Sequence, residues 1–450
     1  MRRTGVLIST VLAVLGLVVA PADAGQRSYV GVLDGARYRV VVPANWNGTL
    51  VVWSHGTYSP DGQEPAELSL TSQPATEDWL VGHGYALAAS GFRHVLGWSI
   101  ADGYVDQIRL MDWFSVNVGA PRRVVSAGAS AGGATATGLA ERSPGRFGGV
   151  VTECGMLAGG LAYWNSGLDL MFAVRTLLGG DFALVKPTDP GNEDKAAAVI
   201  DAAAQGTPQQ QAKLALANAL ADVPGWFDPT KPRPTSIAEQ VSAMSIWDTA
   251  VRTGAVGVTR TDMERWAGGN PTWNIGVDYR VLLARSSELA FVRQAYAAAG
   301  LDLSTDLDRL AAAPRIAPDL KATAYLLRTS QPFAEAPWPV VGIRDTADGV
   351  LPIANDTPYA ARTDRPANLR QLAVDRAGHC ALTASEEITA FQTLFDRMDT
   401  GRWPATDPDG LNTRARALGP ETQVVWNPLN HDYEQVPTAF TRHVSVPYPR

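Results

Sequence analysis

The stretch from Val124 to Gly133 constrains the fold of this chain more than any other part of the sequence. It reads V-V-S-A-G-A-S-A-G-G, a run of small, β-favouring residues followed at once by small residues that can begin a helix. The pattern predicts a strand, a one-residue corner at Ser130 and a helix. A serine at such a corner adopts a sparsely populated backbone conformation that holds its hydroxyl clear of the sheet. Ser130 is therefore the candidate nucleophile.

Strands and helices alternate on both sides of this stretch. Apolar strands are predicted at 50–53, 85–89 and 147–153, and helices at 76–83 and 106–118. Alternation of this kind gives parallel strands with crossover helices on both faces of the sheet. The fold class is therefore α/β, with a doubly wound, mostly parallel sheet.

The alternation stops near residue 155, and helical patterns with Pro- and Gly-rich joints follow. We therefore predict a core from residues 25–154 and 322–400, with residues 155–321 inserted as a helical cap or lid. Residues 401–450 are rich in Pro, Asn and Asp, and only 423–426 is a clear strand. This last segment is expected to be an irregular C-terminal extension packed on the core.

Residues 1–24 have the pattern of a secretory signal peptide. Two arginines precede an apolar run from Val6 to Val19, and Ala22-Asp23-Ala24 is a small-x-small cleavage pattern. The run is shorter than the roughly 20 apolar residues that span a bilayer, although an N-terminal membrane anchor is the alternative. We expect a secreted, soluble protein without stable membrane insertion.

The composition is that of a compact globular protein, with 46% hydrophobic and 18% charged residues. A net charge of −7 argues against a nucleic-acid partner or an anionic lipid surface. The six histidines show no metal-ligand spacing, and two cysteines alone cannot make a structural zinc site, so no metal is expected. The expected partner is a small-molecule or polymeric substrate, and the sequence leaves the oligomeric state open.

A serine nucleophile needs a base and a carboxylate that orients the base. His379 is the candidate base because it alone among the histidines follows the last predicted sheet strand; His431 and His443 are alternatives. Asp348 is the preferred carboxylate because the glycine after it suits a tight turn that points the side chain inward. Asp345, three residues earlier, is the alternative.

The tetrahedral intermediate also needs backbone N–H donors for its oxyanion. The Ala131 N–H, directly after Ser130, is one candidate. The second is the Thr57 N–H, in the loop after the strand that ends at His55-Gly56. Gly56 permits close approach of the backbone to a substrate, and His55 is expected to brace the loop rather than transfer protons.

The order Ser130, Asp348, His379, with a helical insertion between the serine and aspartate strands, resembles the α/β-hydrolase superfamily over about residues 36–398. The sequence is similar to secreted bacterial esterases and lipases within it. The resemblance implies an α/β-hydrolase fold with a large cap before the acid strand. It also implies cleavage of carboxylic esters through an acyl-enzyme intermediate, without a cofactor.

Tannase and feruloyl-esterase-type enzymes carry disulfide-linked cysteines beside both the catalytic serine and the catalytic histidine. Here Cys380 follows His379, but Ala129 precedes Ser130. Cys154, at the end of the strand after the Ser130 helix, offers a substitute. We therefore predict a Cys154–Cys380 disulfide that pins the His379 loop, with two buried free thiols as the alternative.

Two other functions stay open at the level of sequence. An exopeptidase or amidase would use the same triad, and a non-catalytic binding protein would use the same scaffold. Aromatic residues of the cap are candidates for an apolar substrate pocket, although aromatic side chains are more commonly core residues, and none is assigned individually. They are Tyr163, Trp164, Trp226, Phe227, Trp247, Trp266 and Trp273.

Overall fold

The computed structural model describes residues 25–450, so the predicted signal peptide lies outside the described residues. This part of the chain forms eleven strands and fifteen α-helices. The strands are β1 (Arg27–Leu33), β2 (Ala36–Val42), β3 (Thr49–Ser54), β4 (Ala86–Ser90), β5 (Arg123–Ala129), β6 (Gly149–Glu153), β7 (Val340–Ala347), β8 (Leu369–Ala377), β9 (Val424–Asn427), β10 (Asp432–Gln435) and β11 (Phe440–Thr441). The helices are α1 (Pro74–Gly82), α2 (Ile100–Asn117), α3 (Ala131–Arg142), α4 (Gly160–Leu178), α5 (Asn192–Ala204), α6 (Pro208–Ala219), α7 (Ile237–Ala250), α8 (Val258–Ala267), α9 (Tyr279–Arg285), α10 (Leu289–Ala299), α11 (Leu303–Ala312), α12 (Leu320–Ser330), α13 (Thr357–Arg362), α14 (Ala384–Thr400) and α15 (Pro408–Arg416).

Nine strands form one sheet in the order β1-β2-β4-β3-β5-β6-β7-β8-β11. The six neighbouring strands β4, β3, β5, β6, β7 and β8 pair in parallel. The pairs β1–β2, β2–β4 and β8–β11 are antiparallel. This topology confirms the predicted doubly wound sheet and is that of an α/β-hydrolase fold. The carboxyl ends of the parallel strands meet along one edge, where α/β proteins bind ligands.

The central strands are buried on both faces because helices cover both sides of the sheet. Along β3, Val51 and Trp53 pack on the side of α1 and α14. Leu50 and Val52 pack on the opposite side, against α2 and α3. The alternation of side chains along a strand thus divides one apolar run between two cores. The rigid sheet between these cores positions the loops at its edge.

Between β6 and β7 all the regular structure is helical, from α4 to α12. Side chains of these helices, among them Trp164 and Tyr296, form a separate large hydrophobic core. The last helix, α12, continues to Ser330 and packs against α4 and α8 of this segment as well as α2 and α3 of the sheet layer. The helical segment therefore extends past 321, the predicted end of the cap. Within residues 25–450, no helix is long and apolar enough to cross a membrane.

The extension at 401–450 is more regular than predicted. It contains α15, a β9–β10 hairpin and β11, which pairs with β8 at the edge of the main sheet. It also reaches the helical segment, because the Arg450 guanidinium donates to the buried Asp169 carboxylate of α4 at 2.5 Å. The residues of β10 lie largely at the surface and lack an apolar alternation, so the sequence pattern did not indicate this strand.

Candidate active site

The corner between β5 and α3 is formed as the sequence predicts. Ser130 has φ 57° and ψ −125°, a conformation that non-glycine residues rarely adopt. Its N–H donates to the Glu153 carbonyl oxygen on β6 at 3.0 Å. A Cβ at Gly132 would collide with the carbonyl oxygens of Ser54 and His55, so this position requires glycine. Tight packing of α3 against the end of β3 thus holds the serine at the edge of the sheet.

The structure brings Ser130, His379 and Asp348 together. The His379 Nε2 atom lies 2.8 Å from Ser130 Oγ, and its Nδ1 atom lies 2.8 Å from Asp348 Oδ2. Asp348 is fully buried, and its Oδ1 atom accepts hydrogen bonds from the Val350 and Leu351 N–H groups at 2.8 and 2.9 Å. These two N–H donors fix the orientation of the Asp348 carboxylate towards the His379 imidazole. The arrangement allows His379 to take the Ser130 proton while Asp348 stabilises the imidazolium.

The alternative residues lie elsewhere. Asp345 is inside β7, and its carboxylate accepts from the Ala381 N–H at 2.8 Å; burial raises its pKa well above the ordinary value. His431 is exposed on the β9–β10 hairpin, and His443 lies 3.4 Å from Asp356. Of the two aspartates considered, Asp348 is therefore the one that contacts the His379 ring.

The two proposed oxyanion donors, Ala131 and Thr57, both line the cavity that contains Ser130. Neither N–H group donates to an acceptor within the described part of the chain. Gly56 lies against the serine, since a Cβ there would be 3.1 Å from Ser130 Cβ. The His55 Nδ1 atom lies 2.6 Å from the Gly56 carbonyl oxygen, and burial lowers the pKa of His55. His55 thus braces this loop as a neutral ring.

A disulfide joins Cys154 and Cys380, with their Cα atoms 5.4 Å apart. Cys154 follows β6, and Cys380 directly follows His379, so the bond ties the end of a central strand to the histidine loop. Cys154, His379 and Cys380 bring three potential metal ligands within 4.8 Å of one another. Because the two sulfur atoms are bonded to each other, they offer no thiolate to a metal ion.

A pair of buried carboxyl groups lies beneath the Ser130 corner. Glu153 Oε2 accepts from the Ser72 hydroxyl at 2.5 Å, and Glu387 Oε2 accepts from the Thr76 hydroxyl at 2.7 Å. Burial raises the pKa of Glu153 to about 7. Burial, and then the charge of Glu153, raises the pKa of Glu387 well above its ordinary value. Both shifts favour the protonated form of these carboxyl groups.

The site opens into a cavity of about 870 Å³, which lies in the usual size range of small-molecule sites. Six aromatic side chains line it: Trp98, Tyr163, Trp164, Phe227, Trp247 and Trp426. Of the other cap aromatics considered, Trp226, Trp266 and Trp273 are not among its lining residues. Trp426 belongs to β9 in the extension, and no sequence signal linked this residue to the site.

No family model matches the chain. Over 425 residues it is 27% identical to an o-phthalyl amidase from Xanthobacter agilis, an alignment that covers 87% of this chain and 91% of that protein. Among solved structures, an esterase from Aspergillus oryzae matches with 12% identity and a TM-score of 0.40, covering 84% of this chain and 80% of that one. A serine hydrolase from Cycloclasticus zankles matches with 13% identity and a TM-score of 0.35, covering 84% and 99%.

Proposed function

We propose that this protein, which has an α/β-hydrolase fold, is an exported serine hydrolase that cleaves carboxylic esters through an acyl-enzyme intermediate. The observation that carries the proposal is the continuous line of contacts from Ser130 through His379 to the buried Asp348, at a cavity of small-molecule size. The signal-like pattern of residues 1–24 supports export. So does the disulfide, because such bonds persist mainly in oxidising compartments.

In the first step Ser130 Oγ attacks the ester carbonyl carbon, and His379 Nε2 takes the hydroxyl proton. Asp348 stabilises the imidazolium through Nδ1–H, and the Ala131 and Thr57 N–H groups stabilise the oxyanion. When the tetrahedral intermediate collapses, the carbon–oxygen bond to the alcohol breaks and His379 returns its proton to the leaving oxygen. Water then attacks the acyl-enzyme in the same way and releases the acid.

Amide cleavage is the second candidate, and the alignment with o-phthalyl amidase favours it. The same triad serves both reactions, but an amide is the more demanding substrate because nitrogen is a poorer leaving group than an alcohol oxygen and departs only after His379 has protonated it. Turnover of matched esters and anilides with one acyl group separates the two activities. Measurable anilide hydrolysis would identify an amidase that also cleaves esters.

Labelling with a fluorophosphonate probe tests the reaction centre. The wild-type protein should be labelled and should hydrolyse simple acetate esters, and Ser130→Ala should lose both properties while its thermal unfolding stays unchanged. Ser59→Ala is the matched control, because Ser59 also lines the cavity and should be dispensable for labelling. Undiminished labelling of Ser130→Ala, or no labelling of the wild type, would overturn the proposal.

A further inference from the structure

We propose that the β9–β10 hairpin provides a leaving-group subsite in which the Trp426 ring binds the alcohol portion of the substrate. The preferred substrates are then esters of uncharged alcohols that carry an aromatic ring, such as benzyl esters. This inference rests on the proposed ester hydrolysis and assigns a specificity role to the C-terminal extension.

The position of Trp426 in β9 is the first observation. Val425 and Asn427 on either side of it are buried, whereas the Trp426 side chain is 42% exposed and lines the cavity. The Tyr433 ring packs edge-on against it, with centroids 5.3 Å apart and planes at 67°. An indole held this way presents a large apolar face at low cost in side-chain entropy, as aromatic residues do in binding sites.

The hairpin is anchored on two sides. Val425 forms a buried cluster with Ala381, in the loop just after His379, and with Val436. The Asn427 amide donates to Asp228, next to the cavity-lining residue Phe227, at 3.3 Å. Trp426 therefore stands on a short strand held between the histidine loop and the helical segment. A recognition side chain on such a supported element keeps its position.

The location of the hairpin decides which part of the substrate Trp426 contacts. His379 must protonate the leaving oxygen, so the alcohol portion lies on the histidine side of the tetrahedral intermediate. The hairpin packs on the same side, through the contact between Val425 and Ala381. From this shared side we infer that the Trp426 ring contacts the departing alcohol rather than the acyl group.

The charges around the cavity restrict this alcohol further. Asp61, Glu193 and Asp194 are among the lining residues, and within residues 25–450 no Lys or Arg lines the cavity. An anionic alcohol would meet like charges in this cavity without a compensating cation. The cavity therefore favours an alcohol with an uncharged aromatic ring, which can pack on Trp426, and disfavours an alcohol whose ring carries a carboxylate.

Two pairs of esters, assayed with Trp426→Ala, test the subsite. Benzyl and ethyl acetate share an acyl group and differ in the alcohol, whereas methyl benzoate and methyl acetate differ only in the acyl group. For Trp426→Ala we expect kcat/KM to fall about tenfold on benzyl acetate and by less than about twofold on the other three esters. Trp426→Phe should restore most of the activity on benzyl acetate.

Leu429→Ala is the matched control, since Leu429 is 53% exposed on the same hairpin but does not line the cavity. An equal loss in Leu429→Ala and Trp426→Ala would overturn the subsite in favour of a general apolar contact of the hairpin. An unchanged benzyl-to-ethyl ratio in Trp426→Ala would also overturn it, while leaving ester hydrolysis itself intact. If the wild type cleaves none of the four esters and resists the fluorophosphonate, the proposed function fails instead.

Discussion

The inner wall of the cavity, at the ends of β3, β5, β7 and β8, differs from the outer wall formed by the helical segment between β6 and β7 and by the β9–β10 hairpin. On the inner wall, hydrogen bonds fix the reactive groups, because backbone N–H groups hold the Asp348 carboxylate and this carboxylate holds the His379 ring. On the outer wall, aromatic side chains such as Trp247 and Trp426 offer apolar faces from distant segments. Under the proposed function, the inner wall supplies the chemistry common to all substrates, whereas the outer wall selects among them.

The largest expected effect comes from the inner wall. Asp348→Asn should lower kcat by about 10³–10⁴-fold, because an asparagine favours the wrong His379 tautomer and cannot stabilise the imidazolium. The loss should be equal for benzyl and ethyl acetate, in contrast to the selective loss expected for Trp426→Ala. Steady-state kinetics on both esters measures it.

Asp345→Asn is the matched control, because Asp345 is equally buried and lies three residues away but bonds Ala381 rather than His379. We expect less than about a tenfold change in kcat for this variant. A larger loss in Asp345→Asn than in Asp348→Asn would reverse the assignment of the triad carboxylate.

The disulfide should have the next largest effect, on the stability of the inner wall. It closes a loop with a sequence separation of 226 residues, so the double variant Cys154→Ala/Cys380→Ala should lose about 2–5 kcal/mol of unfolding free energy. Urea unfolding measures this loss. Titration of the denatured wild type should find no free thiol before reduction and two after it. Equal thiol counts before and after reduction would contradict the bond.

The smallest expected effect concerns the buried carboxyl pair. Burial raises the Glu153 pKa from 4.5 to about 7. Between pH 4.5 and pH 7, the folded protein therefore keeps a proton on Glu153 that the unfolded chain has released. This contribution to stability is complete below about pH 4.5 and is lost as the pH rises through 7. Glu153→Gln keeps an acceptor for Ser72 and should be more stable than the wild type at pH 8 by about 1–3 kcal/mol.

Urea unfolding at pH 5 and pH 8 checks this effect, since the advantage of Glu153→Gln should shrink at the lower pH. The same difference at both values would show that Glu153 does not titrate in this range. Activity on ethyl acetate at pH 8 serves as the control for the fold, because Glu153 contacts Ser130 only through its backbone carbonyl oxygen.

Predictions from sequence were most successful where the cause was local. The strand, corner and helix around Ser130 follow from small residues and glycines within one short stretch. The choice between Asp348 and Asp345 was harder, because it depends on where β7 ends. The strand continues to Ala347, with an irregular register between Asp345 and Ala347, which leaves Asp345 inside the sheet.

The sequence by itself determined the α/β class, the serine corner and the set of candidate triad residues, because backbone conformation and hydrophobic alternation are encoded by neighbouring residues. Only the tertiary structure decided that Asp348 contacts His379 and that Trp426 lines the Ser130 cavity. These contacts depend on how segments far apart in the chain pack together. No sequence pattern near Trp426 predicts which distant part of the chain this residue contacts.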